Sequence, residues 1–282
     1  MDRSIAFIIV FIVLTSVAYY FWQEHEAEKV LSASNNTAVE IPLKPEITVS
    51  PEPRVRYPVP DIQEEVIAKE EPLKAEPVVK PDPLPGLDES DAPLTLRLQQ
   101  HYALEKLQEI LVLRELVRHL VVTIDNLDGR KLAKRHSVVR SPGQAFMVIK
   151  QRGEEEYLLD PENHNRYQIY MDFLNAISDQ QMLSIYVRFY PLFQQAYEEL
   201  GYPDRYFNDR LIEIIDHLLG APIIKGDIKL VRPKVYYQFT DTKLEELSAG
   251  QKILIRIGSK NALQVRGRLN SLRKLLTTLG TR

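Results

Sequence analysis

The sequence predicts a mainly α domain with one or two small β-hairpins, set behind an N-terminal transmembrane helix and a disordered proline-rich linker. Three observations predict it. An uncharged apolar run opens the chain at Ile5 to Trp22, twelve of the eighteen prolines fall between residues 38 and 93, and apolar residues recur at helical spacing over most of the chain beyond residue 93. The 282 residues thereby divide into an anchor with its flank at 1–29, a linker at 30–93 and a mainly α globular region at 94–282.

The opening run, "IAFIIVFIVLTSVAYYFW", is eighteen residues without a charge. A helix rising about 1.5 Å per residue just crosses a hydrocarbon core of about 30 Å at that length. It ends in Tyr19, Tyr20, Phe21 and Trp22, an aromatic belt suited to the headgroup layer. Ser16-Val17-Ala18 resembles a signal cleavage site, but a cleaved signal turns polar after that point and four bulky aromatics follow here, which favours an uncleaved anchor. Arg3 precedes the run and Glu24, Glu26 and Glu28 follow it. Basic residues stay on the cytoplasmic side, so the bulk of the chain is expected outside, in the periplasm of a cell with two membranes.

Residues 38–93 hold thirteen Asp or Glu against six Lys or Arg, a net of −7, and their only aromatic is Tyr57. Such a segment buries too little apolar surface to offset its ordering entropy, and its prolines favour an extended spacer. Residues 94–282 carry twenty-eight Lys or Arg against twenty-two Asp or Glu, a net of +6. The overall charge of −3 thus averages an acidic tether and a basic head. A basic head on a long arm suits an anionic polymer, anionic lipid headgroups or an acidic protein, and equally its own acidic tether. There is no cysteine, which removes disulfides, thiol nucleophiles and thiolate metal sites.

Within the head, residues 94–125 read as two helices, with Asp91 as N-cap and Pro93 in the first turn, closed by the turn residues of "DNLDGR". "RKLAKRHSVVRSPGQ" is a basic irregular stretch. "AFMVIKQRGEEEYLL" reads as a β-hairpin with strands at 145–150 and 155–159 and a turn at Arg152-Gly153. Helices are expected at 162–176, 179–200 and 204–219, the second kinked or restarted by Pro191. "DIKLVRPKVYYQF" reads as a second extended pair split by Pro233, and helices at 241–256 and 260–278, separated at Gly258, complete the chain.

One stretch, "FYPLFQQAYEELGYPDRYFNDRLIEIIDHLL", combines a dense aromatic set with carboxylates and a histidine. Leu211, Ile214, Ile215, Leu218 and Leu219 form one apolar helix face. Phe189, Leu192, Phe193, Ala196 and Leu200 form another, edged by Tyr186, Tyr190 and Tyr197, so Phe189, Phe193 and Phe207 are expected in the core. Asp209, Glu213 and His217 fall at i, i+4 and i+8 on the opposite, polar face. That array could serve as acid and base, but a single histidine with acids lacks the second histidine or cysteine that makes metal spacing diagnostic. A solvated face with local ion pairs, to which Arg210 contributes, is the plainer reading, and Glu115 with His119 forms a weaker pair of the same kind.

Candidate binding residues are the basic loop Arg130, Lys131, Lys134, Arg135 and Arg140, whose guanidinium and ammonium groups suit phosphate or carboxylate, together with Tyr206, Asn208 and Arg210 beside the polar face. A further cationic set runs along the last helices at Lys252, Arg256, Lys260, Arg266, Arg268, Arg273 and Lys274, where a solvated face is the plain reading. No GxSxG, HExxH, Walker, GxGxxG or EF-hand pattern occurs, and Ser271 to Lys274 matches SxxK without its companion motifs. No cofactor or metal is expected, and the placement outside the cytoplasm, with no recognition motif, argues against nucleic acid.

The segments "PLPGLDESDAPL", "ELVRHLVVTIDNL", the long block from Phe189 and "LVRPKVYYQFTDTKLEELSAGQKILIRIG" resemble a bacterial family known as domain of unknown function 3014, over about residues 83–280. The resemblance implies a Gram-negative, N-terminally anchored protein with a variable linker and one folded unit over those positions. It carries no reaction and no catalytic residue. The expectation is a non-enzymatic scaffold or binding protein anchored in the inner membrane, its domain in the periplasm and its partner an anionic polymer or a protein. An envelope-directed hydrolase using Asp209, Glu213 and His217 is the alternative, and self-association is a third.

Overall fold

A computed structural model of the protein describes residues 56–59, 83–131, 134–151 and 156–279. The expected anchor at Ile5 to Trp22, most of the linker and the Arg152-Gly153 turn lie outside these residues; among them, no helix is long and apolar enough to cross a membrane. The described part is mainly helical with one small antiparallel sheet.

Three helices, rather than two, lead the fold: α1 (Asp91–Gln99), α2 (Leu104–Ile110) and α3 (Leu116–Asp125). Asp91 is not an N-cap. It is the first residue of α1, and its carboxylate instead accepts hydrogen bonds at 2.7 Å from the amides of Glu115 and Leu116, capping α3 across twenty-four residues of chain. Glu115 there adopts a left-handed conformation, φ 50°. The folded unit also starts before residue 94, since Leu87 and Ser90 are buried and Leu84 packs on the core.

Strands β1 (Val148–Lys150) and β2 (Glu156–Leu159) pair as expected, as do β3 (Lys229–Val231) and β4 (Gln238–Phe239). The two pairs are not separate hairpins. β2 also pairs with β3, Tyr157 opposite Leu230, giving one sheet in the order β1-β2-β3-β4. A satellite core of Leu159, Ile228, Leu230, Phe239 and Ile255 lies beneath it.

Residues Pro161–Tyr167 form a 3₁₀ turn, capped by Asp160, before α4 (Gln168–Ala176). α5 (Asp179–Glu199) starts at a capping box, Ser178 with Gln181, and runs through Pro191 without restarting. α6 (Phe207–Leu219) follows. The last part is divided by Ser248, a capping-box residue, into α7 (Thr242–Glu245) and α8 (Ala249–Arg256). α9 (Ser259–Thr277) leaves from Gly258. α5 is the hub, touching α1, α3, α6 and α9. Phe189, Phe193 and Phe207 are buried as their spacing predicts, whereas Leu200 is exposed beyond the end of α5.

Burial lowers the pKa of His119, against the partial opposition of Glu115, and lowers that of His164 against Asp160 and Glu162. An unfolded histidine titrates near 6.5, so below that pH the unfolded chain binds more protons than the folded one. The contribution to stability is therefore complete above the unfolded pKa and is lost as pH falls toward the folded values. The urea midpoint is expected to drop between about pH 7.5 and about pH 5.5, and His119→Gln to remove part of that drop.

Candidate functional site

The polar face of α6 is set by the aromatic block before it. Phe193 stacks on Phe207 with ring centroids 5.8 Å apart, and Tyr197 tilts against the same ring at 5.7 Å. Gln194 then fixes the start of α6: its Oε1 accepts from the Phe207 amide at 2.8 Å and its Nε2 donates to the Arg205 carbonyl at 2.8 Å. With Phe207 and Asn208 turned inward, Asp209 and Glu213 follow on the other side. Asp209 and Glu213 border an open cleft of about 380 Å³ lined also by Tyr197, Tyr206 and Arg210.

Residues 56–59 of the linker lie beside this cleft as a strap that bends at Arg56 and Tyr57, with Arg56 forming part of its lining. The two carboxylate oxygens of Asp209 accept from successive strap amides, Oδ2 from Arg56 at 3.0 Å and Oδ1 from Tyr57 at 2.9 Å. Asn208 Nδ2 donates to the Tyr57 carbonyl at 2.8 Å. Arg56 reaches Glu213 at 2.8 Å, and the Tyr57 and Val59 side chains pack on the edge of the main core. The strap's backbone is read from both sides. Asn208 is fully buried and anchored from within, because its Oδ1 accepts from the Tyr186 hydroxyl at 3.0 Å. Burial pushes the Tyr186 pKa well above the ordinary tyrosine value, so it remains a neutral donor. The linker's composition concealed this element; Tyr57, its lone aromatic, was the signal that could have found it.

Asp209, Glu213 and His217 do share a helix face, but they do not converge. Asp209 and Glu213 hold the strap, whereas His217 Nε2 lies 2.8 Å from the Ser248 hydroxyl, at the cap of α8. Among the described residues no group of three or more His, Asp or Glu is placed to hold a metal.

The predicted binding residues separate in the same way. Arg210 is a clamp between helices: Nε donates to Asp125 Oδ1 and Nη2 to the Asp125 carbonyl, both at 2.7 Å, and Asp128 completes the set. Burial opposes its charge, but the hydrogen bonds to Asp128 and Asp125 outweigh that and hold its pKa above the ordinary arginine value. Arg140 donates to the Leu111 carbonyl. Arg130, Lys131 and Arg135 are exposed on the basic loop; the Lys134 side chain lies outside the described ones. Tyr206 borders the cleft.

Within the cationic set of the last helices Lys260 and Lys274 are exposed, as a solvated face would have them, but the others are tied inward or paired. Arg256 and Arg268 are buried. Arg273 pairs with Asp216 and Lys252 with Glu245, and Arg266 donates to the Ala221 carbonyl. Summed charge therefore overstated the free positive surface of the head, and the cleft itself is acidic on its α6 side.

One family model matches the chain, over residues 116–273, and its family is described as protein of unknown function (DUF3014). The match runs from α3 into α9, so α5 and α6 lie inside it and Arg56 to Val59 lie outside it. No curated protein and no solved structure matches.

Proposed function

This chain belongs to the DUF3014 family of proteins of unknown function, and from that premise we propose that it is a non-enzymatic binding protein of the cell envelope, held in the inner membrane by Ile5 to Trp22, with its folded domain in the periplasm and a protein as its partner. The observation that carries the reading is the strap beside the α6 cleft. Asp209, which resembled part of an acid–base array, is spent on two backbone amides of the bent strap, and its neighbour Asn208 on a carbonyl. Recognition of main-chain groups by paired acceptors and donors is peptide-binding chemistry. A hydrolase needs its acid and base within reach of one reacting atom, and His217 is committed elsewhere. A protein partner fits better than an anionic polymer because the cleft mixes Asp204, Asp209 and Glu213 with Arg205 and Arg210, and most of the C-terminal cations are internal ties.

A photo-crosslinking residue placed at Tyr206 of the full-length chain in cells tests this. The expected result is an adduct with an envelope protein. Adducts only with cytosolic proteins reject the placement. Retention only on sacculi, lost on changing Arg130, Lys131 and Arg135 to Ser, rejects the protein partner in favour of an anionic polymer.

A further inference from the structure

We infer that the surface formed by Asn208, Asp209 and Glu213 at the N-terminal end of α6 is a site for a bent partner segment of the sequence type Arg–aromatic–Pro–aliphatic, and that Arg56 to Val59 is a built-in occupant that covers it in cis. The inference deepens the proposed function, on which it rests, by naming the surface and the chemistry of the partner.

Four features define the ligand. Asp209 takes two consecutive amides, which the bend at Arg56 and Tyr57 turns toward one carboxylate, whereas an extended strand points them to opposite sides. Asn208 takes the carbonyl of the second residue. Glu213 takes the guanidinium of the first. Tyr57 and Val59 point onto the core edge, while Pro58 between them is exposed. Proline at that position has no amide to satisfy, and its fixed φ reduces the ordering cost.

The energetic weight falls on the α6 side chains rather than on the salt bridge. Arg56 and Glu213 side chains are 66% and 45% exposed, and pairs so exposed add little to affinity. The carboxylate–amide bonds of Asp209 are charge-assisted and stronger. The receptor half is fixed: Asn208 is locked by Tyr186, and α5 and α6 lie within the family-matched region. The occupant lies outside that region and is joined to the domain by the twenty-three residues 60–82.

A tether of that length gives an effective concentration on the order of 1 mM. For a free site with a Kd of about 100 µM, such a strap weakens a competing peptide by about tenfold. A trans partner must therefore be locally concentrated or bind better than the strap.

The test titrates the full-length chain in detergent with a fluorescein-labelled peptide of residues 54–60, read by anisotropy. The wild-type chain is expected to bind weakly, and the chain carrying Arg56→Ala and Tyr57→Ala about tenfold more tightly. Adding Asp209→Ala to that variant is expected to abolish binding with the thermal midpoint nearly unchanged. A Glu213→Arg chain should prefer a peptide with Glu in place of Arg56, which reports recognition independently of folding. Equal affinity with and without the strap, no binding to the opened chain, or binding that survives Asp209→Ala overturns the inference. Concentration-dependent dimerisation of the opened chain in place of peptide binding also overturns it, in favour of a second copy as occupant. Peptide binding without an envelope adduct removes only the cellular placement; an adduct with a flat titration removes only the strap.

Discussion

Replacing Arg268 with alanine is expected to cost the domain about 3–5 kcal/mol of unfolding free energy, the range for breaking one side of a buried pair. The guanidinium residue is 8% exposed and its partner Asp179 is 1% exposed. Nη1 donates to Asp179 Oδ1 at 2.7 Å, and Nη2 donates to the carbonyls of Leu174 at 2.6 Å and Ile177 at 2.8 Å. Those carbonyls belong to the end of α4, where the helix can no longer satisfy them itself. Asp179 is the first residue of α5. One side chain of α9 therefore caps one helix, anchors the next and fixes the corner between them. Alanine would leave a buried carboxylate without this partner and two carbonyls without this donor. Arg268→Lys should recover only part of the loss, because an ammonium cannot reproduce the planar fork. The double variant Arg268→Met, Asp179→Asn should cost less than the sum of its singles, since neither unmatched charge remains. Urea unfolding at constant m-value measures each difference; a single-variant cost below about 1 kcal/mol would show the pair to be solvent-screened.

The same residue shows where sequence reading stops. Arg268 looked like one of several cations on a terminal helix, and charge along a sequence carries no information on depth. Its partner lies eighty-nine positions away. Asp91 failed in the same way. A local N-cap pattern named the nearest helix, but the carboxylate reaches α3 because the fold brings that terminus beside it. The legible features were periodic. Phe189, Phe193 and Phe207 follow helical spacing, and their burial depends on that alone. The polar face of α6 was legible as a face, since Asp209 and Glu213 are one turn apart. Its use was not, because the group they bind is a four-residue strap more than 150 positions earlier, inside a segment whose average composition argues against folding. Merging of the two strand pairs was likewise hidden: the β2–β3 ladder joins residues about seventy positions apart, and no local signal encodes it.

Gly258→Ala is the second substitution expected to act strongly, through backbone and space together. Gly258 has φ +85° and ψ 156°, a region essentially restricted to glycine, where another residue costs about 1–3 kcal/mol. The position also has no room. A Cβ there would stand well inside van der Waals contact with the His164 ring, nearest to its Nε2 and Cδ2, so the imidazole lies directly over the glycine. His164 sits in the 3₁₀ turn that leads into α4, and Gly258 separates α8 from α9. The contact thus locks the start of one helix against the junction of two others, and forcing it open adds about 1–3 kcal/mol of overpacking. Relieving the clash with His164→Ala should return the steric part and leave the conformational part. Gly258→Ala is therefore expected to lower stability by about 2–5 kcal/mol. In the His164→Ala background the same change should cost only about 1–3 kcal/mol. Equal costs in the two backgrounds, measured by urea unfolding, would assign the whole effect to the backbone and exclude His164 as the reason this position requires glycine.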